Sequence, residues 1–236
     1  MVMYFWKNFK MNGLKKLWME YKCGRSTKII PVEILVQNYN QSFRQVLPAM
    51  HFLTGSFYTS KIGTKLKAIE ANPLKYLENF ATDVQQLDLG DILKAAETYL
   101  VRVLYKKETC ETFNDLRVSL FKSGKITVIT ELPPCSEEIT YHIRRAYYIT
   151  YNKMWMFSSE KNNLDPVDFG YEQKDQKLVP KRSVSLYPPI DELPPPCHCK
   201  NCSRKCNCRI NGMLCCSFCR CVNEKSCQNY IFCSTE

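Results

Sequence analysis

Apolar residues recur along most of this chain at the three- and four-residue steps of a helix. The clearest case is DLGDILKAAETYLVRVLY, residues 88–105, which places Leu89, Ile92, Leu93, Ala96, Leu100, Val103 and Leu104 in one stripe. Near the start, Phe5, Trp6 and Phe9 precede Leu14, Leu17, Trp18 and Tyr21, and the steps from Leu14 to Tyr21 fit one helical face. Packing of that face on the core with its lysines solvated is preferred to a nucleic-acid arm. Pro31 then suits the first turn of a short helix over VEILVQNYN. Asn72 is placed to cap a helix beginning at Pro73, and Thr112 with Asp115 forms a capping-box pair ahead of LRVSLF. Ser136, Glu137 and Glu138 open a last helix running through Tyr141, Ile143, Ala146 and Tyr147 toward Trp155. Its polar members His142, Arg144 and Arg145 are expected on a solvated face. These stripes read as core faces rather than cofactor boxes.

Between them lies LPAMHFLTGSFYTSKIGTKLKAIEA, residues 47–71, where Gly55 and Gly63 bracket a turn-rich segment. Thr64 is positioned to cap the helix carrying Leu66, Ala68 and Ile69. His51, with no Cys, Asp or Glu near it in sequence, reads as a packed side chain. After Asp165-Pro166 the helical period is lost, and YEQKDQKLVPKRSVSLY is irregular or a hairpin. Pro188, Pro189 and Pro194 to Pro196 then resist both helix and sheet. The expected organisation is a helical domain over 1–165, an irregular Pro-rich linker over 166–196 and a cysteine-rich module over 197–233.

That module changes the picture, because eleven of the fourteen cysteines fall between Cys197 and Cys233. A dense thiol set serves either a disulfide scaffold or a metal site. Three C-x-C pairs, Cys197 with Cys199, Cys206 with Cys208 and Cys219 with Cys221, suit ligands turning toward a shared metal cluster. The opening MVMYFW is too short for a signal segment, and no apolar run reaches the roughly 20 residues of a membrane span. The expectation is therefore a protein of a reducing compartment whose thiolates bind zinc, mainly α, with a small zinc-stabilised module of little regular structure.

Charge says less than its total of +10 suggests. Residues 1–30 carry a net +6 and residues 181–236 a net +4, while the middle of the chain holds eighteen charges of each sign. Nine thiolates with three zinc dications leave −3, and the flanking Lys200, Arg204, Lys205, Arg209, Arg220 and Lys225 against Glu224 bring the loaded module near +2. Nucleic-acid contact would then depend on where Lys200, Arg204, Lys205, Arg209 and Arg220 point.

Cys197, Cys199, Cys202, Cys206, Cys208, Cys215, Cys219, Cys221 and Cys227 form a frame C-x-C-x2-C-x3-C-x-C-x6-C-x3-C-x-C-x5-C that resembles the tesmin-type CXC domain. Gly212 falls where that family has its glycine. The resemblance implies nine ligands, about three zinc ions with some thiolates bridging, and DNA binding in the nucleus, with a cytoplasmic location as the other option. Cys216 and Cys233 are spare. This frame is shorter than the family's after its second cysteine and longer before its last, and Lys205 stands where the family carries a DNA-inserting tyrosine. Zinc binding carries over, but sequence-specific minor-groove reading does not.

LTGSFYTSKIGTKLKAI is similar to the glycine-rich stretch of flap-endonuclease-like nucleases of the PIN fold, in which an aspartate binds a catalytic metal and the following turn clamps DNA backbone. Ser56 and Phe57 occupy the cysteine and aspartate positions, and a phenyl ring offers no oxygen to a hard cation. The resemblance thus implies a catalytically inactive nuclease-like region, with Lys61 and Lys65 available to phosphate. It also implies that the chain corresponds to the C-terminal part of a longer protein, the carboxylate-bearing half lying upstream. The leading expectation is a zinc-binding, nucleic-acid-associated protein that is not an enzyme, with no membrane contact and no small-molecule substrate. A metallothionein-like metal buffer and a fragment of an active nuclease are the alternatives.

Overall fold

A computed structural model describes residues 2–80, 88–105, 109–122, 132–158, 163–183, 197–200, 202, 205–210, 214–215, 219–223 and 227–229. Its elements run α1 (Val2–Met11), β1 (Trp18–Cys23), β2 (Ser26–Pro31), α2 (Val32–Asn38), α3 (Gln41–Leu53), α4 (Lys65–Glu70), α5 (Pro73–Leu77), α6 (Leu89–Tyr105), α7 (Phe113–Lys122) and α8 (Ser136–Met154). A 3-10 turn (Pro166–Phe169), β3 (Tyr171–Lys174), β4 (Lys177–Pro180), α9 (Asn207–Ile210) and α10 (Arg220–Asn223) follow. The chain is mainly α, and none of the described helices is long and apolar enough to cross a membrane.

Two compact units emerge, one from Met1–Lys106 with His142–Pro180, the other from Lys107–Tyr141 with Lys181–Glu236. In the first, α6 supplies the centre: Ala96, Tyr99, Leu100 and Val103 are fully buried. They belong to the same buried core as Leu53 and Phe52 of α3, Leu77 of α5 and Ala68 of α4. Each such large side chain contributes roughly 1.5–3 kcal/mol by leaving water. The buried Tyr99 hydroxyl donates to the Ala68 carbonyl at 2.9 Å, so its polar end is satisfied. Tyr147 of α8 stacks on Phe169 at 5.6 Å and meets Phe80 edge-on at 5.4 Å.

Three sequence expectations change here. Leu14 to Tyr21 is not a helical face: Trp18–Cys23 pairs antiparallel with Ser26–Pro31, Cys23 opposite Ser26. The two-residue loop opens with Gly24 at φ 60, a left-handed conformation that suits the twist of a tight hairpin. α3 is a helix of thirteen residues where none was expected, and it buries Pro48 in its interior. Third, α8 does not present His142 and Arg145 to water, since both are buried. His142 Nε2 lies 2.8 Å from the Leu53 carbonyl, and Arg145 donates to the Gly170 carbonyl at 3.0 Å. Arg144 donates to the Asp168 carbonyl at 2.8 Å.

Other local readings hold. Thr64 Oγ1 accepts from Lys67 N at 3.3 Å and caps α4. Asn72 precedes α5, but in a left-handed conformation with no side-chain cap bond. Pro31 stands just before the first residue of α2. Of the two readings for the segment after Asp165, the hairpin is realised over 171–180, turning through Asp175 at φ 48 and Gln176 at φ 59. The prolines at 188–196 lie outside the described residues.

In the second unit the capping box ahead of α7 is reciprocal: Asp115 N donates to Thr112 Oγ1 at 3.1 Å, and Thr112 N to Asp115 Oδ2 at 3.2 Å. Asn114 and Ser136 exchange a second reciprocal pair, each side-chain oxygen accepting from the other's backbone N–H at 3.1 Å. Ser183 is held at the start of α8, its N–H on Glu138 and its hydroxyl on Glu137. The hydrogen bond from the Ser183 hydroxyl, and after it the one from the Tyr141 hydroxyl, holds the Glu137 carboxyl below its ordinary range.

Candidate metal centre

All nine frame cysteines are among the described residues, and none is in a disulfide. Eight are buried, and Cys199 is half-buried. They form a core of their own, with Val222 packed against it. Backbone geometry brings this about in small steps. Cys206 precedes the single turn α9 and Cys208 lies within it, the Cys206 carbonyl accepting from Ile210 N at 2.9 Å. Cys219 and Cys221 repeat the arrangement at α10, where the Cys219 carbonyl accepts from Val222 N at 3.2 Å. Two C-x-C pairs are thus each folded onto the first turn of a miniature helix. Cys202 adopts φ 41, a left-handed backbone rare for a residue with a Cβ. Arg220 N donates to the Cys197 carbonyl at 3.2 Å, which ties the last turn to the first cysteine.

The sulfurs meet closely. Cys197 Sγ lies 3.6 Å from that of Cys202, 3.7 Å from Cys215 and 3.5 Å from Cys221. Cys202 is 3.4 Å from Cys215 and 3.0 Å from Cys221, while Cys206 is 3.8 Å from Cys215 and Cys208 is 3.7 Å from Cys219. Zinc–thiolate bonds of about 2.3 Å in a tetrahedron put neighbouring sulfurs about 3.8 Å apart. Most of the observed separations approach that edge and exceed the roughly 2.05 Å of a disulfide.

Among the described residues, three groups of four have all their sulfurs within 4.8 Å of one another: Cys197, Cys202, Cys215 and Cys221; Cys197, Cys206, Cys208 and Cys215; and Cys197, Cys199, Cys202 and Cys206. Each could hold a metal ion. Cys197 is common to all three, and Cys202, Cys206 and Cys215 each belong to two. Cys219 reaches the set through Cys208, and Cys227 accepts from Asn229 N at 3.3 Å.

Electrostatics explains why such a set calls for a cation. Burial, followed by repulsion from Cys219, pushes the Cys208 thiol up to about 12, and burial pushes Cys221 up to about 12 as well. Burial likewise raises Cys202, Cys215 and Cys199. Cys206 behaves differently: burial opposes its ionisation, yet hydrogen bonds from Arg209 N and the adjoining thiols outweigh it and bring it down to about 7. So many thiolates could not share one small volume uncompensated, and a dication held among them would supply the missing charge.

Asn229 escaped the sequence reading. Its side-chain N–H reaches Cys215 Sγ at 3.5 Å and its carbonyl accepts from Cys215 N at 2.8 Å, so it orients one sulfur while its own N–H touches another. Its position two residues after the last frame cysteine was the only signal available. Lys200, Lys205, Arg209 and Arg220 are exposed around the thiol core. Arg204, Cys216 and Cys233 lie outside the described residues.

The other predicted contacts sit in the first unit. Lys61 is exposed, whereas Lys65 turns its ammonium onto the protein, donating to the His51 carbonyl at 2.7 Å and to Thr54 Oγ1 and the Gly55 carbonyl at 2.8 Å. Burial lowers Lys65 to about 8. A phosphate contact by Lys65 would mean giving some of them up. His51 is itself exposed, with its pKa lowered by burial and by Lys65. Set against protein-family models, curated proteins and solved structures, the chain matches none.

Proposed function

We propose that the cysteine region is a zinc-thiolate module, holding about three ions on the nine frame cysteines, in a protein that associates with DNA or another nucleic acid and carries out no catalysis. The observation that supports it most is the convergence of buried thiols, none in a disulfide, at separations near a tetrahedral zinc–sulfur edge. An all-thiolate donor set favours zinc over magnesium or calcium, which prefer oxygen. Nine ligands fill the twelve positions of three tetrahedral ions when three thiolates bridge, and the bridges are to be sought among Cys197, Cys202, Cys206 and Cys215, which recur among the four-sulfur groups.

Nucleic-acid association draws support from the exposed Lys200, Lys205, Arg209 and Arg220, which surround the thiol core with cations. The absence of catalysis draws support from Phe57, which stands at the position of the expected metal-binding aspartate, is 96% exposed and offers no oxygen ligand. A nuclear location follows from the same reading. Elemental analysis of the full chain, purified without added metal, is the direct test. Two to three zincs per chain, with salt-sensitive retention on DNA, are expected. Fewer than two would sink the cluster, and salt-insensitive or absent retention would leave a metal buffer.

A further inference from the structure

Phe57 and Tyr58 project from the loop between α3 and α4 and are 96% and 56% exposed. One exposed aromatic residue is ordinary. What distinguishes this pair is how firmly the backbone beneath it is held. Thr59 Oγ1 donates to the Phe52 carbonyl at 2.6 Å, Ser56 N to the Thr59 carbonyl at 3.2 Å, and Ile62 N to the Thr54 carbonyl at 3.1 Å. Gly55, at φ 110, allows the loop to close so tightly that a Cβ there would lie 2.5 Å from Lys61 Cα. Lys65 clamps the same turn through its three bonds. The loop therefore holds two aromatic rings out in water, perpendicular to each other with centroids 5.3 Å apart.

The charged residues that line the two clefts beside them are Lys61, Lys65 and Lys153, with no Asp or Glu among them. Phe5, Phe52, Phe57, Tyr58, Lys153 and Met156 border one cleft of about 360 Å³, which brings three separate segments together. Since the middle of the chain is balanced in charge, these lysines are a local concentration that net charge conceals. Lys153 Nζ sits 5.8 Å from the centre of the Tyr58 ring. A second cleft, of about 440 Å³, which Ser56 also borders, is lined by Thr54, Thr59, Thr64 and Lys61.

We propose that this loop is a stacking platform for single-stranded nucleic acid, unpaired bases lying on Phe57 and Tyr58 while backbone phosphates meet Lys61 and Lys153. Aromatic faces flanked by cations match such a polymer in both of its parts, base and phosphate. A duplex hides its base faces, so rings held out in this way select unpaired strands. The proposal shares its partner class with the zinc-module reading but places the contact in the other unit, so the two can fail separately.

The test is fluorescence anisotropy of labelled oligo-dT and oligo-U with the full, zinc-loaded chain, alongside a duplex of equal length and vesicles of anionic phospholipid. Phe57→Ala with Tyr58→Ala should weaken single-strand binding about tenfold or more, as expected for lost base stacking, and leave duplex binding and the melting temperature unchanged. Tyr58→Phe should bind like the parent chain. Lys61→Gln with Lys153→Gln should flatten the slope of log K against log salt by about 1.4, roughly 0.7 for each single-strand phosphate left without its lysine. Single-strand binding untouched by the double alanine variant overturns the platform and leaves the zinc-module reading standing. A chain that binds neither strand nor duplex overturns both. Vesicle binding abolished by that variant, without oligonucleotide binding, also overturns the platform.

Discussion

Cys197 belongs to every four-sulfur group, whereas Cys199 belongs to one and is only half-buried. Removing a shared ligand opens more than one coordination sphere, so Cys197→Ser should lose about two metal ions per chain and Cys199→Ser at most about one. Metal analysis of the two purified variants measures the difference, and equal losses would show that Cys197 is not shared. Gly55 offers a comparable contrast in backbone chemistry. Gly55→Ala adds left-handed strain to a collision with the Lys61 backbone and should cost about 2–3 kcal/mol. Gly13→Ala, at φ 86 with open space around it, should cost only about 1 kcal/mol. Urea denaturation of both separates strain from collision. The frame cysteines were legible because thiol spacing along a short segment carries the chemistry directly. Buried His142 and Arg145 were not, because their partners are carbonyls of Leu53 and Gly170, far away in the chain. A sequence shows a side chain's polarity but not the distant acceptor that satisfies it.

Helices α6, α7 and α8 were legible because long apolar stripes and local caps agree. The β1–β2 hairpin was not, since Leu14, Leu17, Trp18 and Tyr21 happen to fall at helical steps, while the deciding feature is the left-handed Gly24. Tryptophan and tyrosine also favour strands, so the turn broke an ambiguity the apolar pattern could not. Helix α3 was hidden by Pro48, which forfeits one helical hydrogen bond. Six buried residues, Pro48 among them, anchor that helix, so tertiary packing overrides its weak local signal. The helix starts of the second unit lend themselves to measurement. Thr112→Ala removes the acceptor for Asp115 N and should destabilise the fold by about 1 kcal/mol. Asn114→Ala breaks the bond that closes Ser136 N at the head of α8 and should cost about as much. Urea midpoints that fall in both variants at constant m-value would confirm loss of caps, and unchanged midpoints would show that water replaces them.

For the molecule as a whole, the two units differ in what they bury, for the second adds thiols to apolar residues such as Phe113 and Leu116. The first is held by apolar side chains, and no cysteine is among its buried described residues, whereas the second gathers the thiol core. Composition foretold that contrast but could not place it, because the net charge and the cysteine count average over both units. Metal removal should therefore act unevenly. A structural zinc site contributes its binding energy directly to the folding of the residues that ligate it, and the helices of the first unit contain none of the frame ligands. Treating the full chain with a strong chelator should leave the far-UV helical signal within about a tenth of its starting value, local unfolding being confined to the metal-bound segment. In the same sample the thiols open to a sulfhydryl reagent should rise until all nine frame cysteines react, and restoring zinc should close them again. Circular dichroism and thiol titration followed together decide the matter. Helical signal lost in step with thiol exposure would mean that the cysteine region also supports the helices, and thiols that react fully before chelation would mean that no metal holds them.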